Sequence, residues 1–415
     1  MPVFTLLYIL GLVALLATFL PFSPLTIDLV NLSRTAQLAI YERRHALWGL
    51  ALVAWSLALA LGLAGRTIPT LTPVEAVGTL GLSALVFGIM FWTGYVPVVM
   101  TPPGNTRRLR GAAASARVTP DDIVLGIALD GDACAYLRDQ IARPHYLLDQ
   151  LGTHRLVVSY CILCNSATAF EARLHGRPLD LRCVTAYNNN IIYLDRASGN
   201  FIQQLDGRVI RGPDTGAALD LVPVTVTRWQ DWQRLHPDTA LLDAPAQSWR
   251  DRMVGAMLEM LIPIGRLSRR SRPWHRVRGQ LDSRLGAMRF VLGVERAGEA
   301  VAYEAEVVGG RGVVEDEVGG LAIALFGTAD GAVVNVFERR LETLELRFEP
   351  TSDAAETGAV ARDHQTGSLW NVAGTAISGP LDGAQLRAVP HFNKLFWFSW
   401  ALFKPGVRLY GAAVS

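Results

Sequence analysis

Three uninterrupted apolar runs occupy the first hundred residues: Val3 to Phe22, Ala46 to Ala64, and Val77 to Met100. Each has about the twenty residues a helix needs to cross a hydrocarbon core, and none carries an internal charge. A single run of this kind would also suit a buried core helix, but three in succession would not. The first run is a poor cleaved signal peptide: it lacks a charged leading region and a small-residue cleavage site, and two further spans follow it. Residues 1–110 therefore read as a membrane anchor of three transmembrane helices, and the lipid bilayer as the first partner. Arg34, Arg43 and Arg44 lie in the first loop, and Arg107, Arg108, Arg110 and Arg117 follow the third run. The opposite side offers only Arg66 and the terminal amine. By the positive-inside rule the remaining 300 or so residues face the cytoplasm.

That remainder is long enough for two domains. Its net charge gives no sign of a nucleic-acid partner, since the whole chain carries only +2. Lys394 and Lys404 are the only lysines among many arginines, a mark of a GC-rich genome. The sequence also repeats itself. Val124-Leu125-Gly126 recurs as Val291-Leu292-Gly293, an offset of 167 (291 less 124), and the same offset carries Ala135-Tyr136 to Ala302-Tyr303. It carries Phe170-Glu171 to Phe337-Glu338, Gly212-Pro213 to Gly379-Pro380, and Pro223 to Pro390, with one-residue slips near Gly199/Gly367 and Trp232/Trp400. The fold predicted is three N-terminal transmembrane α-helices plus a β-rich α+β extramembrane region made of two tandem repeats, residues 118–244 and 286–415.

Within a repeat, alternating runs and turn residues predict hairpins at 123–137 and 169–185 and a strand over Arg155 to Tyr160. Brief helices are predicted at Tyr146 to Leu151 and Trp229 to Leu235. Residues 245–285 belong to neither repeat. Met253, Val254, Met257, Leu258, Leu261 and Ile262 suit one face of a helix, and Arg266, Arg269, Arg270, Arg272, Arg276 and Arg278 follow. This basic amphipathic linker suits either an anionic lipid surface or packing on the core. Near the C-terminus, Phe392 to Phe403 is aromatic nearly all round where the first repeat is polar. Such a surface must be covered, by the membrane segment or lipid, or by contact between the repeats.

All four cysteines, Cys134, Cys161, Cys164 and Cys183, fall in the first repeat. Cys161 corresponds to Thr328, Cys164 to Gly331 and His145 to Gly312. Cys161-Ile162-Leu163-Cys164 ends a strand and enters a turn; two thiols so spaced can close a disulfide, share a thiolate or hold a soft metal. With His145 they would make a three-ligand set with an open position, which favours copper over zinc. Cys134 and Cys183 read as small core residues. Asn189, in the cluster Tyr187 to Asn190, and Gln203 and Gln204, in Phe201 to Gln204, are candidates to bind a cofactor or orient ligands. Turn and ladder-edge hydrogen bonding explains them equally well.

The Pro144-His145-Tyr146 to Gly152 stretch, Tyr160-Cys161-Ile162-Leu163-Cys164-Asn165-Ser166, the Tyr193 to Gly199 strand and turn, Gly212-Pro213 and His236-Pro237 resemble the bacterial domain of unknown function 3179. The likeness covers about 120 residues. The family's usual pattern is Cys-Pro-Leu-Cys-Gly/Arg-Ser; Ile162 and Asn165 depart from it and leave both sulfurs in place. Some members of the family are selenoproteins, which implies redox or metal use of the motif. The resemblance also implies a bacterial inner-membrane protein, and many members look exported, against the charge-based orientation. Two functional expectations follow. One is a redox-active or metal-binding protein using Cys161, Cys164 and His145, an oxidoreductase served by a redox partner protein. The other is a non-catalytic membrane scaffold with structural cysteines.

Overall fold

The computed structural model describes residues 2–66, 71–104, 106–244, 248–261, 270–329, 331, 333–351 and 358–411. Ile262, Arg266 and Arg269 of the linker lie outside the described residues. Residues 1–101, 182–188 and 248–261 form one compact unit; residues 102–181, 189–247 and 262–415 form the other.

In the first unit, Val3–Phe22, Arg44–Leu63 and Pro73–Gly94 are long and apolar enough to cross a membrane. The third starts before the apolar run because its cap lies outside that run. The Thr72 side chain accepts from the Glu75 amide, the Glu75 carboxylate accepts from the Thr72 amide at 2.8 Å, and Pro73 opens the helix. It also ends early, at Gly94. Pro97 has no N–H for the Thr93 carbonyl and its ring would crowd that turn, so the chain breaks at Tyr95. Polar contacts join the helices: Trp55 Nε1 donates to the Tyr8 carbonyl (3.1 Å), and the Tyr8 and Ser83 hydroxyls are hydrogen-bonded (2.9 Å). On the short helix Arg34–Glu42, buried Gln37 donates to the Pro21 carbonyl and to Thr185 Oγ1, both at 2.7 Å. That amide fastens residues 182–188 into this unit. The linker forms a helix, Trp249–Leu261, whose Trp249 ring sits 5.5 Å from that of Trp92. Val254 is buried, whereas Trp249, Met253 and Met260 are exposed.

The second unit is rich in β-structure with mixed sheets. Its first half builds the sheet order Arg107–Leu109, Ala240–Asp243, Asp132–Leu137, Ile123–Leu129, Thr225–Arg228. Its second half runs Arg408–Leu409, Glu299–Glu304, Phe290–Arg296, Phe392–Phe396. In each half one pair is parallel, Ala240 opposite Cys134 and Arg408 opposite Val301. Three antiparallel strands follow in each: Tyr146–Leu151, His154–Cys161 and Ser166–Glu171, and then Val313–Val318, Leu321–Gly327 and Val334–Glu338. Asn190–Asp195, Phe201–Gln203 and Val209–Arg211 match Ala359–Asp363, Leu369–Asn371 and Ala376–Ser378 in order.

Two expectations are corrected. Tyr146–Leu151 is a strand, not a helix: the Gly152 turn (φ +55°) folds it onto His154–Cys161, and the ladder decides its conformation. The aromatic segment does not present a surface to lipid. Phe392–Phe396 is a strand inserted between Phe290–Arg296 and Ser166–Glu171, joining the sheets of the two halves. Phe392, Leu395, Trp397 and Trp400 pack with Leu205 and Val291, and Phe403 packs against the same cluster. Lys404 is buried and paired with Asp206 (2.8 Å) and Glu295 (2.7 Å). Trp229–Leu235 is the helix predicted.

Candidate functional site

His154–Cys161 and Ser166–Glu171 form a hairpin whose last ladder pair is Cys161 with Ser166. The four residues between them carry Cys164, and Asn165 turns the chain at φ +55°. Both cysteines are therefore held at the closed end of one hairpin, and they come within 3.4 Å of each other. Neither is accessible to solvent.

The surroundings of Cys164 are polar. Ser166 Oγ lies 3.0 Å from its sulfur, and Asn190 Nδ2 donates to it at 3.2 Å. Asn190 Nδ2 also donates to Gln204 Oε1 (2.6 Å), as does Ser166 Oγ (2.9 Å), and Gln204 Nε2 donates to Thr168 (2.9 Å). Gln203 Nε2 donates to Asn190 Oδ1 and to the Ile191 carbonyl. Burial alone would raise the Cys164 thiol; the contacts of its sulfur with Cys161, Ser166 and the donating Asn190 amide outweigh it and draw it below the ordinary thiol range. Cys161 moves the other way: burial and the neighbouring Cys164 push it well above the ordinary thiol range, while its Sγ donates to the Asn189 carbonyl at 3.5 Å. One sulfur is thus set to carry charge and the other to keep its proton.

Asn189 holds the linker. Its Nδ2 donates to the His275 carbonyl (3.0 Å), and its Oδ1 accepts from the His275 amide (2.8 Å). The Cys164 carbonyl accepts from the Phe396 amide at 3.0 Å, and Asn165 Nδ2 donates to the Lys394 carbonyl, so the second half latches the cysteine turn.

His145 stands at φ +78°, with its ring buried and Nδ1 donating to the Tyr160 carbonyl (3.1 Å). Burial lowers its pKa to about 4, against the smaller pull of that hydrogen bond, so the imidazole is neutral at pH 7. Among the described residues no hydrogen bond joins His145 to either sulfur. No three His, Cys, Asp or Glu side chains among them are grouped to hold a metal ion. The expected copper or zinc set of Cys161, Cys164 and His145 is therefore not assembled among the described residues. Cys134 and Cys183 are buried strand residues, and burial raises both, Cys134 to about 12.

A family profile, Protein of unknown function (DUF3179), matches residues 96–407, which takes in the hairpin, the donors and both halves. The chain belongs to this family. No curated protein and no solved structure matches it. In this DUF3179 protein the structure brings Cys161, Cys164, Asn189, Gln203 and Gln204 into one buried network, and adds Ser166, Thr168 and Asn190 as direct or relayed partners of the thiol. Ser166 had a signal in the sequence, since it closes the Cys-x-x-Cys-x-Ser pattern of the family resemblance.

Proposed function

We propose that this chain is a membrane-anchored thiol-redox protein in which Cys164 is the reactive thiolate and Cys161 the resolving thiol. The observation that carries this reading is the convergence of a hydroxyl, an amide and a second thiol on one buried sulfur. The Asn190 amide has an N–H for this sulfur and another for Gln204, and such a donor favours the thiolate, which is the nucleophile in thiol chemistry. Cys183 is the contrast within the same chain: burial alone acts on it and raises its thiol. A scaffold with structural cysteines would need only the second kind.

We infer further that residues 118–244 and 286–415 are two copies of one domain, the second without the chemistry. Matching strand orders, the parallel pair in each half and the shared offset support it. At the matching positions Cys161 becomes Thr328, Cys164 becomes Gly331 and Ser166 becomes Val333. After the one-residue slip Asn190 becomes Gly358 and Gln204 becomes Val372. The sulfurs and their donors are absent together, as expected if the donors serve the sulfur. The distribution of arginines favours a cytoplasmic location for the large region. The exposed Trp249, Met253 and Met260 suit a helix lying in the lipid interface.

The test is the redox state of the protein in its own membrane. Cells held with and without oxidative stress are quenched in acid, and each cysteine is mapped by differential alkylation. A reversible Cys161–Cys164 disulfide should rise under stress, with Cys134 and Cys183 reduced throughout. A pair that stays reduced in every condition overturns the reading.

A further inference from the structure

We infer that the oxidant of the Cys161–Cys164 pair is a small hydroperoxide and not a protein or peptide disulfide. This rests on the thiol-redox reading and adds the substrate class.

Thiol–disulfide exchange passes through a mixed disulfide, so the attacked partner must bring its own sulfur and flanking carbons up to the thiolate. The site leaves no room for that. Both sulfurs are inaccessible, and Asn189, Asn190, Gln203, Gln204, Ser166 and Thr168 are all buried around them. Two further segments close the cysteine turn: the strand Phe392–Phe396, bonded to the Cys164 carbonyl, and the linker at His275, held by both ends of the Asn189 amide. A molecule of a few atoms can reach such a site through local opening; a peptide cannot.

The lining also suits a small hydroxylic molecule. Gln203 commits its amide nitrogen to Asn190 and Ile191, while its Oε1 is buried and has no hydrogen-bond partner. A buried acceptor left unpaired in a network otherwise satisfied is an unmet demand for an O–H. A peroxide supplies one.

The chemistry balances. The Cys164 thiolate attacks one peroxide oxygen and the O–O bond breaks. The leaving alkoxide, or hydroxide, takes a proton and departs as an alcohol or water, leaving Cys164 as a sulfenic acid. The Cys161 thiol then attacks that sulfur; the S–S bond forms, the S–O bond breaks and water leaves. The two thiols lose two electrons and two protons, and the hydroperoxide is reduced to alcohol and water.

The test uses the reduced full-length protein in detergent. Hydrogen peroxide, hydroxyethyl disulfide and oxidised glutathione are supplied separately at matched concentration. Closure of the pair is followed by acid quench, alkylation and peptide mapping. Peroxide should oxidise the pair at least about tenfold faster than either disulfide. A Cys161→Ser protein should stop at a sulfenic acid on Cys164, trapped by a dimedone reagent. Asn189→Gly keeps the left-handed turn, releases the linker and should admit hydroxyethyl disulfide. Equal rates with peroxide and disulfides in the unaltered protein overturn the size argument and leave the redox reading standing. No reaction with any of the three overturns both.

Discussion

At position 145 the first half places a histidine at φ +78°, and 167 residues later the second half places Gly312 at φ +72°. One backbone hydrogen bond is common to both positions. The Tyr160 amide donates to the His145 carbonyl at 3.0 Å, and the Gly327 amide donates to the Gly312 carbonyl at 2.8 Å. A left-handed conformation costs an ordinary residue about 1–2 kcal/mol, a cost glycine avoids. The first half therefore retains an imidazole where the fold asks for glycine, and strain of this kind points toward function. Elsewhere the halves agree down to single contacts. A Cβ on Gly126 would stand 2.2 Å from the Trp232 ring, and one on Gly293 would stand 2.6 Å from Trp400. Tyr136 donates to Asp149 (2.7 Å) beside Arg108, and Tyr303 donates to Asp316 (2.6 Å) beside Arg408. The Cys161–Cys164 pair lies in the first half alone.

The comparison also assigns the second half a task. Its strand Phe392–Phe396 fixes the cysteine turn, and Lys404 ties Asp206 of the first half to Glu295 of the second. Lys404→Ala removes the buried cation, leaves the half-exposed Arg208 to face both carboxylates, and should cost about 3 kcal/mol in unfolding experiments in detergent. Lys404→Met, which keeps the packing of the stem, should cost no more than the alanine variant. If both variants unfold like the unaltered protein, the seam does not join the halves as described.

A smaller effect separates the halves by pH. Burial holds both His145 and His391 down at about 4. Each has a folded pKa below its unfolded value near 6.5. Its contribution is therefore complete above about pH 6.5 and is lost as pH falls toward 4, up to about 3 kcal/mol apiece. The opposite half supplies the controls. His145→Gly installs the residue found at the matching position, and His391→Val installs that of Val224. Each exchange should remove its own share of the acid sensitivity in a denaturation series between pH 7 and pH 4. Sensitivity unchanged in either variant would mean that histidine is not buried neutral.

The three helices long and apolar enough to cross a membrane were legible because runs of about twenty uncharged apolar residues permit little else. The true start of the third was not, since Thr72 and Glu75 act through a cap that hydropathy does not register. Tyr146–Leu151 was misread because its apolar positions suit either period, and only the partner strand decides. The aromatic segment was correctly expected to be covered, but a covered surface does not name its cover; pairing with Ser166–Glu171 is a long-range fact. At the site, the cysteine pair stood out in sequence. Asn190 did not stand apart from its neighbours in the Tyr187 to Asn190 cluster, because a turn residue and a thiol donor look alike until the two strands are brought together. His145 was legible as peculiar to one half, and its bond to the Tyr160 carbonyl was not.

Ultraviolet thiolate absorbance reports whether Cys164 is stabilised as a thiolate without requiring any reagent to enter the site. The full-length protein in detergent, titrated from pH 5 to pH 10, should show one thiolate with a midpoint below the ordinary cysteine value. Cys164→Ser should abolish it, and Asn190→Leu should move it upward. No thiolate below about pH 8.5, the ordinary cysteine value, or a midpoint indifferent to both substitutions, would contradict the account.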